Sequence, residues 1–550
     1  LPQKKSGDIQ NLHRAIFDYM KRKATSFEGG LSEQLKSYQR SQKYFSHRKF
    51  KRCTNEQLFK AIDRSRIIYL GDFHTFDQSS RNLERLIRHI IKKGGAKRVS
   101  LGIEFVKDQD QIHIDHFLSG AITEFEFLDA IDYHQSWRFP WIHYKRFFDL
   151  ARKHHFPIVA LNSAGALNKR DNYAAKMIAD HLKSDDFSKM LVLFGELHIL
   201  RNKLPAKVEK ALGQKKVKAK QTIIHQNLDE VFWRSKQKDS PIVQFSSDEF
   251  SLQTSPPWIK YESAIYWYEN LMDDPEFDVH DYMLETGIKT FTSSAPDNFS
   301  YLCQTIAQAL QIKIPVGEID DFNLYDHKNL DLVISKVNRL KSPELRRFYQ
   351  ELATRGRVFK LINSSDYYCS NYSINRISFL AGMHLQKIVL SAQQSDYEKV
   401  LIKGDSFERF SFFTFQCLFA FLASKVINPY RKCNQYRDLV REAKSPHGDK
   451  EKKRAMQLAA EAIETLAADG EQLPLLLKRK SQIQLFMAAR FLGYYLAELL
   501  FKRIEEIGIQ KIQPLMGHVL SSGDRSLSLI TFCSEILDGE DFRLHHKRLF

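Results

Sequence analysis

From Ile67 onward, short β-rich runs alternate with stretches whose apolar residues recur at helical spacing, and that alternation leaves few folds open. Ile67-Ile68-Tyr69-Leu70 is followed by a polar turn and then by Leu83, Leu86, Ile87, Ile90 and Ile91 on one helical face, with Gly94-Gly95 as its stop. Val99 to Ile103, Pro157 to Leu161, Met190 to Phe194 and Thr222 to Ile224 repeat the strand signal. Helices are expected over 171–184 and 204–212, and an aromatic-rich helical insertion over 107–154. Strands separated by helices pair in parallel through right-handed crossovers, so the expected fold class is α/β, a parallel sheet flanked by helices.

Residues 234–258, rich in Ser, Gln and Pro and closing on Ser255-Pro256-Pro257-Trp258, read as a strand pair or a linker leaving this domain. Beyond 280 the period is helical nearly throughout, in 296–311, 329–354, 373–392, 408–427, 449–467 and 481–507, which predicts a mostly α-helical C-terminal domain. That half shows no repeat of fixed period and no motif assignable to a reaction. The expected division is 1–60, 61–275 and 280–550, and a chain of 550 residues with 43% hydrophobic content is long enough for it.

The net charge of +17 is uneven: residues 1–60 hold 14 Lys and Arg against 5 Asp and Glu, a basic N-terminal helical arm. Such an arm can meet nucleic acid or an acidic membrane surface, but the favoured reading is a solvated basic helix packed on the next domain. A 27% charged and 12% aromatic composition excludes a disordered or collagen-like chain. The six cysteines show no C-x-x-C pairing, so a zinc ribbon is not indicated and thiols in a reducing compartment are expected. No apolar leader follows the first residues, and the longest apolar stretch, Phe410 to Ala423, is shorter than the roughly 20 residues that span a bilayer. The expectation is a buried helix and a cytoplasmic protein.

Ligands of parallel sheets bind outside the carboxyl ends of the strands, so the residues there are the ones to inspect. They are Gly71-Asp72-Phe73-His74, Glu104, Asn162, Gly195-Glu196-Leu197-His198 and His225. In each Gly-x-x-His, the glycine allows a tight turn off the sheet and the imidazole can swing back over its edge. Taken singly, each His reads as a hydrogen-bonded helix-start residue and Glu104 as a salt-bridged carboxylate. Their coincidence at three strand ends favours a functional site, because burying such groups without a task is costly. His74, Glu104 and His198 can hold a divalent metal with an open water position or act as general acid and base, and the residues do not separate the two. The insertion adds Tyr133, His134, Trp137, Phe139, Trp141, His143, Tyr144, Phe147 and Phe148, a surface that can receive a flat hydrophobic ligand or pack as ordinary core.

Gly71-Asp72-Phe73-His74, Leu101-Gly102-Ile103-Glu104-Phe105, Gln111, His116-Phe117-Leu118-Ser119-Gly120, Trp137, Tyr144, Ala160-Leu161-Asn162 and Gly195-Glu196-Leu197-His198 resemble, in order and spacing, the successive motifs of ChaN-like haem-binding domains of the Tiki superfamily. The resemblance covers about residues 62–230. It implies an α/β fold akin to the Tiki, erythromycin-esterase and TraB groups, and haem as cofactor, often as a cofacial pair between two subunits with tyrosine ligation. His74, Glu104 and His198 then match the superfamily's shared site, Tyr144 and Tyr133 are the candidate iron ligands with Tyr144 preferred, and Trp137 and Asn162 join the cofactor-binding set. A homodimer through the haem site follows from the same resemblance. The expected function is haem binding in haem or iron handling. Its alternatives are a metal-dependent or His/Glu-catalysed hydrolase using the same site, and a non-enzymatic interaction protein.

Overall fold

The computed structural model describes residues 7–543 apart from 28–35, 38–39, 42, 95–98, 164, 166, 185–188, 236–240, 273–294, 316, 395 and 447–448. Gly95 and the expected boundary at 275–280 lie outside the described residues. The chain divides into an α/β unit within Phe17–Thr290 and a helical unit formed by Leu1–Ile16 and Phe291–Lys547.

With β1 at Lys51–Arg52, β2 at Ile67–Asp72, β3 at Val99–Lys107, β4 at Ile158–Asn162, β5 at Lys189–Gly195, β6 at Gln221–Gln226, β7 at Ile242–Ser246 and β8 at Glu249–Leu252, the α/β unit is built on an eight-stranded sheet in the order β1-β7-β8-β6-β2-β5-β3-β4. Its parallel centre comprises β2 (Ile67–Asp72), β3 (Val99–Lys107), β4 (Ile158–Asn162), β5 (Lys189–Gly195) and β6 (Gln221–Gln226), the five runs expected from the hydrophobic pattern. Side chains alternate across it as a pleat requires. Ile68, Leu70, Leu101, Ile103, Leu191, Leu193 and Ile224 face one core with the insertion, while Ile67, Tyr69, Met190, Val192, Phe194 and Ile223 face the other. The second core is completed by helices Leu167–Ser184 and Leu204–Gln214. The insertion is not one continuous helical stretch. It breaks into Gln111–Ser119, Glu124–Ala130, Tyr133–Ser136 and Ile142–His154, with Gly120 at φ 81 closing the first.

Residues 234–258 contain the antiparallel pair β7 (Ile242–Ser246) and β8 (Glu249–Leu252), and β8 runs parallel to β6. The stretch is therefore part of the sheet. Helix Pro257–Met272 then begins on Pro257, whose missing N–H costs nothing in a first helical turn. The basic segment is not a separate arm up to residue 60: β1 (Lys51–Arg52) pairs with β7, and helix Asn55–Arg64 buries Leu58 and Ile62 in the core.

The helical unit centres on Ile374–Gln393, Ser406–Ile427 and Gln482–Ile507. Close backbone approach is permitted by two glycines. A Cβ on Gly382 would lie 2.7 Å from the Ala420 Cα, and one on Gly493 would lie 2.6 Å from the Thr414 carbonyl oxygen. Ser406–Ile427 and Gln482–Ile507 are long and apolar enough to cross a membrane by length and composition, but those windows are 94% and 78% buried within the fold. The unit also holds a three-stranded sheet, Phe359–Lys360, Asp366–Tyr368 and Asn323–Tyr325, so it is mostly rather than wholly helical. Strands of two and three residues are too short to leave a period-two signal.

Candidate functional site

The spatial order β2-β5-β3 places the two Gly-x-x-His turns and Glu104 side by side at one edge of the sheet. Gly195 ends β5 in the middle. A Cβ there would stand 3.3 Å from His198 Cδ2, 3.4 Å from Glu104 Oε2 and 3.5 Å from His74 Nε2, so the bare α-carbon looks into a cradle bounded by those three side chains. Glu104 lies inside β3, just where its register with β4 shifts, and not after the strand as expected.

Each imidazole is held from behind by a carboxylate. Asp72 Oδ2 accepts from His74 Nδ1 at 2.9 Å, and Asp171 Oδ1 accepts from His198 Nδ1 at 2.5 Å. With Nδ1 protonated toward the carboxylates, both Nε2 atoms face Glu104, at 4.0 Å from its Oε2 for His74 and 3.9 Å from its Oε1 for His198. Glu104 is itself held, because Oε2 accepts the Gly195 N–H at 2.7 Å and Oε1 accepts Arg170 Nη2 at 3.1 Å. Arg170 Nε donates to Asn162 Oδ1 at 2.9 Å, which brings Asn162 into the same network. Burial disfavours a charge on His74, but the Asp72 hydrogen bond and the negative charges of Asp72 and Glu104 outweigh it, and its pKa is raised above 6.5.

The aromatic insertion forms one wall. Trp137 and Phe139 stand 4.6 and 4.9 Å from the His74 ring, and Phe139 stacks at 4.6 Å on Trp267 of helix Pro257–Met272. Trp267 Nε1 donates to the Arg138 carbonyl at 3.0 Å. The two tyrosines lie behind this wall. Tyr144 and Tyr133 are each 1% exposed; the Tyr144 hydroxyl donates to Asp72 Oδ2 at 3.0 Å and that of Tyr133 to the Phe139 carbonyl at 3.0 Å. Burial pushes both phenols above their usual pKa, so neither presents a phenolate to an open face. Tyr144 instead shares Asp72 with His74.

His74, Glu104, His198 and Asn162 are thus brought together, with Trp137 beside them. His225 is a separate matter: its Nε2 pairs with Glu249 at 3.1 Å in a fully buried contact that Arg48 and Arg201 complete. Among the described residues no group of three or more His, Cys, Asp or Glu is arranged to hold a metal ion. At the expected triad a physical reason is visible: both Glu104 oxygens already have donors, and one donor is the Arg170 cation, which repels a second cation at the same carboxylate.

Several residues escape sequence reasoning. Asp72 sits within the first Gly-x-x-His, where the sequence alone gives it no role of its own. Arg170 and Asp171 come from the start of helix Leu167–Ser184, beyond a strand end, and reach the site because the crossover from β4 returns over the edge. Lys260 is a further one. Its side chain is 3% exposed, and its ammonium lies 3.1 Å from Asp229 and 3.8 Å from Glu196 of the second Gly-x-x-His, and 5.1 Å over the ring of Phe73 in the first. One buried cation therefore touches both turns.

Residues 58–170 match the family model described as haem-binding uptake, Tiki superfamily, ChaN. The chain carries a ChaN-like domain. The matched segment of the ChaN-like domain contains His74, Glu104, Trp137, Tyr144, Asn162 and Arg170, while Asp171, the second Gly-x-x-His and helix Pro257–Met272 follow it. A solved structure entitled "Cofacial heme binding to ChaN of Campylobacter jejuni" is similar at 12% identity with a TM-score of 0.26, over 37% of this chain and 92% of that one. No curated protein matches the chain.

Proposed function

We propose that the ChaN-like domain binds haem at the strand-end edge, with the macrocycle against the rings of Trp137, Phe139 and Trp267, beside His74. The observation that supports this is the His74 imidazole, locked through Nδ1 onto Asp72 and flanked by two partly exposed aromatic rings, in a segment that matches a haem-binding family. Flat apolar rings suit a macrocycle, and a carboxylate behind an imidazole fixes its orientation and raises its basicity. Bound haem would supply the iron chemistry. The chain's own residues orient His74 through Asp72, hold the wall through the Trp267 bond to Arg138, and keep the tyrosines committed elsewhere. A Cβ at Gly195 would already stand 3.3 to 3.5 Å from His198, Glu104 and His74, so the macrocycle belongs outside that cradle.

One side of a macrocycle laid on this wall would stay uncovered, and a second copy of the chain is the occupant proposed for it. Hemin titration of the full chain tests the reading. A saturable Soret shift is expected, weakened in His74→Ala and in Trp137→Ala and accompanied by dimerisation in size exclusion. No shift in the wild type, or one indifferent to both substitutions, would sink it.

A second reading is favoured by one observation, the two Asp–His pairs whose Nε2 atoms face opposite oxygens of a single carboxylate. That arrangement suits acid–base hydrolysis: Glu104 takes a proton from a water in the cradle as its oxygen attacks an ester or amide carbonyl, and protonated His74 gives one to the leaving group. Turnover of ester or peptide substrates that vanishes in Glu104→Gln supports it. Turnover unchanged by that substitution removes it.

A further inference from the structure

The opposite edge of the α/β sheet carries a second feature, unrelated to the site above. Residues 201–220 contain eight Lys and Arg against the single acid Glu209. Part of that charge is neutralised: Arg201 pairs with Asp248 and Glu249, Lys207 with Asp171, and Lys215 with Asp180. Lys210, Lys216, Lys218 and Lys220 are exposed and make no ion pair among the described residues.

Three of these form a row. Between helix Leu204–Gln214 and β6, exposure alternates residue by residue: Val217 and Ala219 pack against the sheet's second core, and Lys216, Lys218 and Lys220 stand outward. Alternate residues of such a run are spaced by roughly 7 Å, close enough for the ammonium groups to act on one surface and far enough apart to limit their mutual repulsion. The Lys220 carbonyl accepts from Arg66 and Ile67 at the start of β2, at 2.9 and 3.2 Å. Since His74 follows the other end of that strand, the row lies about 20 Å of strand away from the site. Lys183, exposed at the end of helix Leu167–Ser184, belongs to the same edge, because the Arg66 guanidinium donates to the neighbouring Leu182 carbonyl at 3.2 Å.

The composition of the patch selects its partner. From 203 to 220 every cation is a lysine, and 201–220 contains no aromatic residue. Nucleic-acid surfaces draw on arginine for bidentate phosphate contacts and on aromatic rings for base stacking, and both are missing between 203 and 220. Compact, hydrated ammonium groups on flexible stems instead suit the diffuse negative charge of a headgroup layer.

We propose that the row Lys216, Lys218 and Lys220, with Lys183 and Lys210 on the neighbouring helices, docks the α/β unit on an anionic phospholipid surface and leaves the His74, Glu104 and His198 edge turned away from it. The test is co-sedimentation of the full chain with phosphatidylcholine vesicles, with and without about 30 mol% phosphatidylserine, at low and moderate salt. Binding is expected only to the anionic vesicles and is expected to weaken with salt. Replacing Lys216, Lys218 and Lys220 together by Gln should lower that affinity about 100-fold, at roughly fivefold per lysine, while the matching Arg triple retains it. Unchanged far-UV circular dichroism in the Gln triple separates lost docking from lost folding, and the Arg triple carries the comparison if the Gln triple misfolds. Equal binding to neutral vesicles, or a Gln triple within twofold of the wild type, would overturn the proposal. So would a Gln triple that loses duplex DNA binding and keeps its vesicle binding.

Discussion

Replacing Lys260 by Met keeps the length and apolar stem of the side chain and removes only its charge. The ammonium is buried between Asp229 at 3.1 Å and Glu196 at 3.8 Å, so the substitution strands two largely buried carboxylates. Breaking a buried pair from one side costs about 3–5 kcal/mol when the survivor has no other partner. Asp229 keeps two, Lys21 at 3.2 Å and the Tyr261 hydroxyl at 2.6 Å, which places the expected loss nearer about 2–4 kcal/mol. All five tryptophans, Trp137, Trp141, Trp233, Trp258 and Trp267, lie in the α/β unit, so urea unfolding followed by tryptophan fluorescence reports on that unit alone.

The pH dependence gives a second check on the same variant. Burial opposes both charges, but their partners outweigh it: Asp229 titrates below its ordinary 3.8 and Lys260 above its ordinary 10.5. A depressed carboxylate contributes stability above its unfolded pKa and loses it as the pH falls through the folded value. A raised amine contributes below its unfolded pKa and loses it as the pH rises through the folded value. The gap between wild type and Lys260→Met should therefore be widest between 3.8 and 10.5 and close on either side. A gap under about 1 kcal/mol at neutral pH, or one unchanged in strong acid, would refute the view that this cation ties the two Gly-x-x-His turns together.

Other substitutions probe separate links. Asp72→Asn should return the His74 pKa toward or below 6.5, read by NMR titration of the imidazole; the stability from that pairing is fully present below 6.5 and fades as the pH rises through the raised native value. Tyr144→Phe should cost about 1–3 kcal/mol through the lost bond to buried Asp72 and leave any hemin spectrum unaltered, whereas a collapsed Soret band would make the phenol a ligand after all. Gly493→Ala drives a methyl to 2.6 Å from the Thr414 carbonyl oxygen and 2.9 Å from the Leu418 nitrogen, both rigid backbone, and a loss of about 1–3 kcal/mol is expected in thermal unfolding followed by circular dichroism.

Much of the α/β architecture is local and so was legible in the amino-acid order. The five parallel strands follow from short β-rich runs set between helical periods, and the polar residues that close them mark the edge where His74, Glu104 and His198 meet. The resemblance to ChaN-like domains rests on the same local motifs. Tertiary structure decided the rest, because it depends on approach between distant segments. Asp171 and Arg170 lie 27 and 66 residues from the groups they hold, His198 and Glu104, and no period in the sequence links them. Lys260 reaches both turns from a helix outside the family match, and burial commits Tyr144 and Tyr133 to internal acceptors although the family resemblance implies ligands. Periodicity tells which face of an element is apolar. Which carboxylate stands behind an imidazole is settled only when the elements pack, since a hydrogen bond needs atoms within about 3 Å of each other.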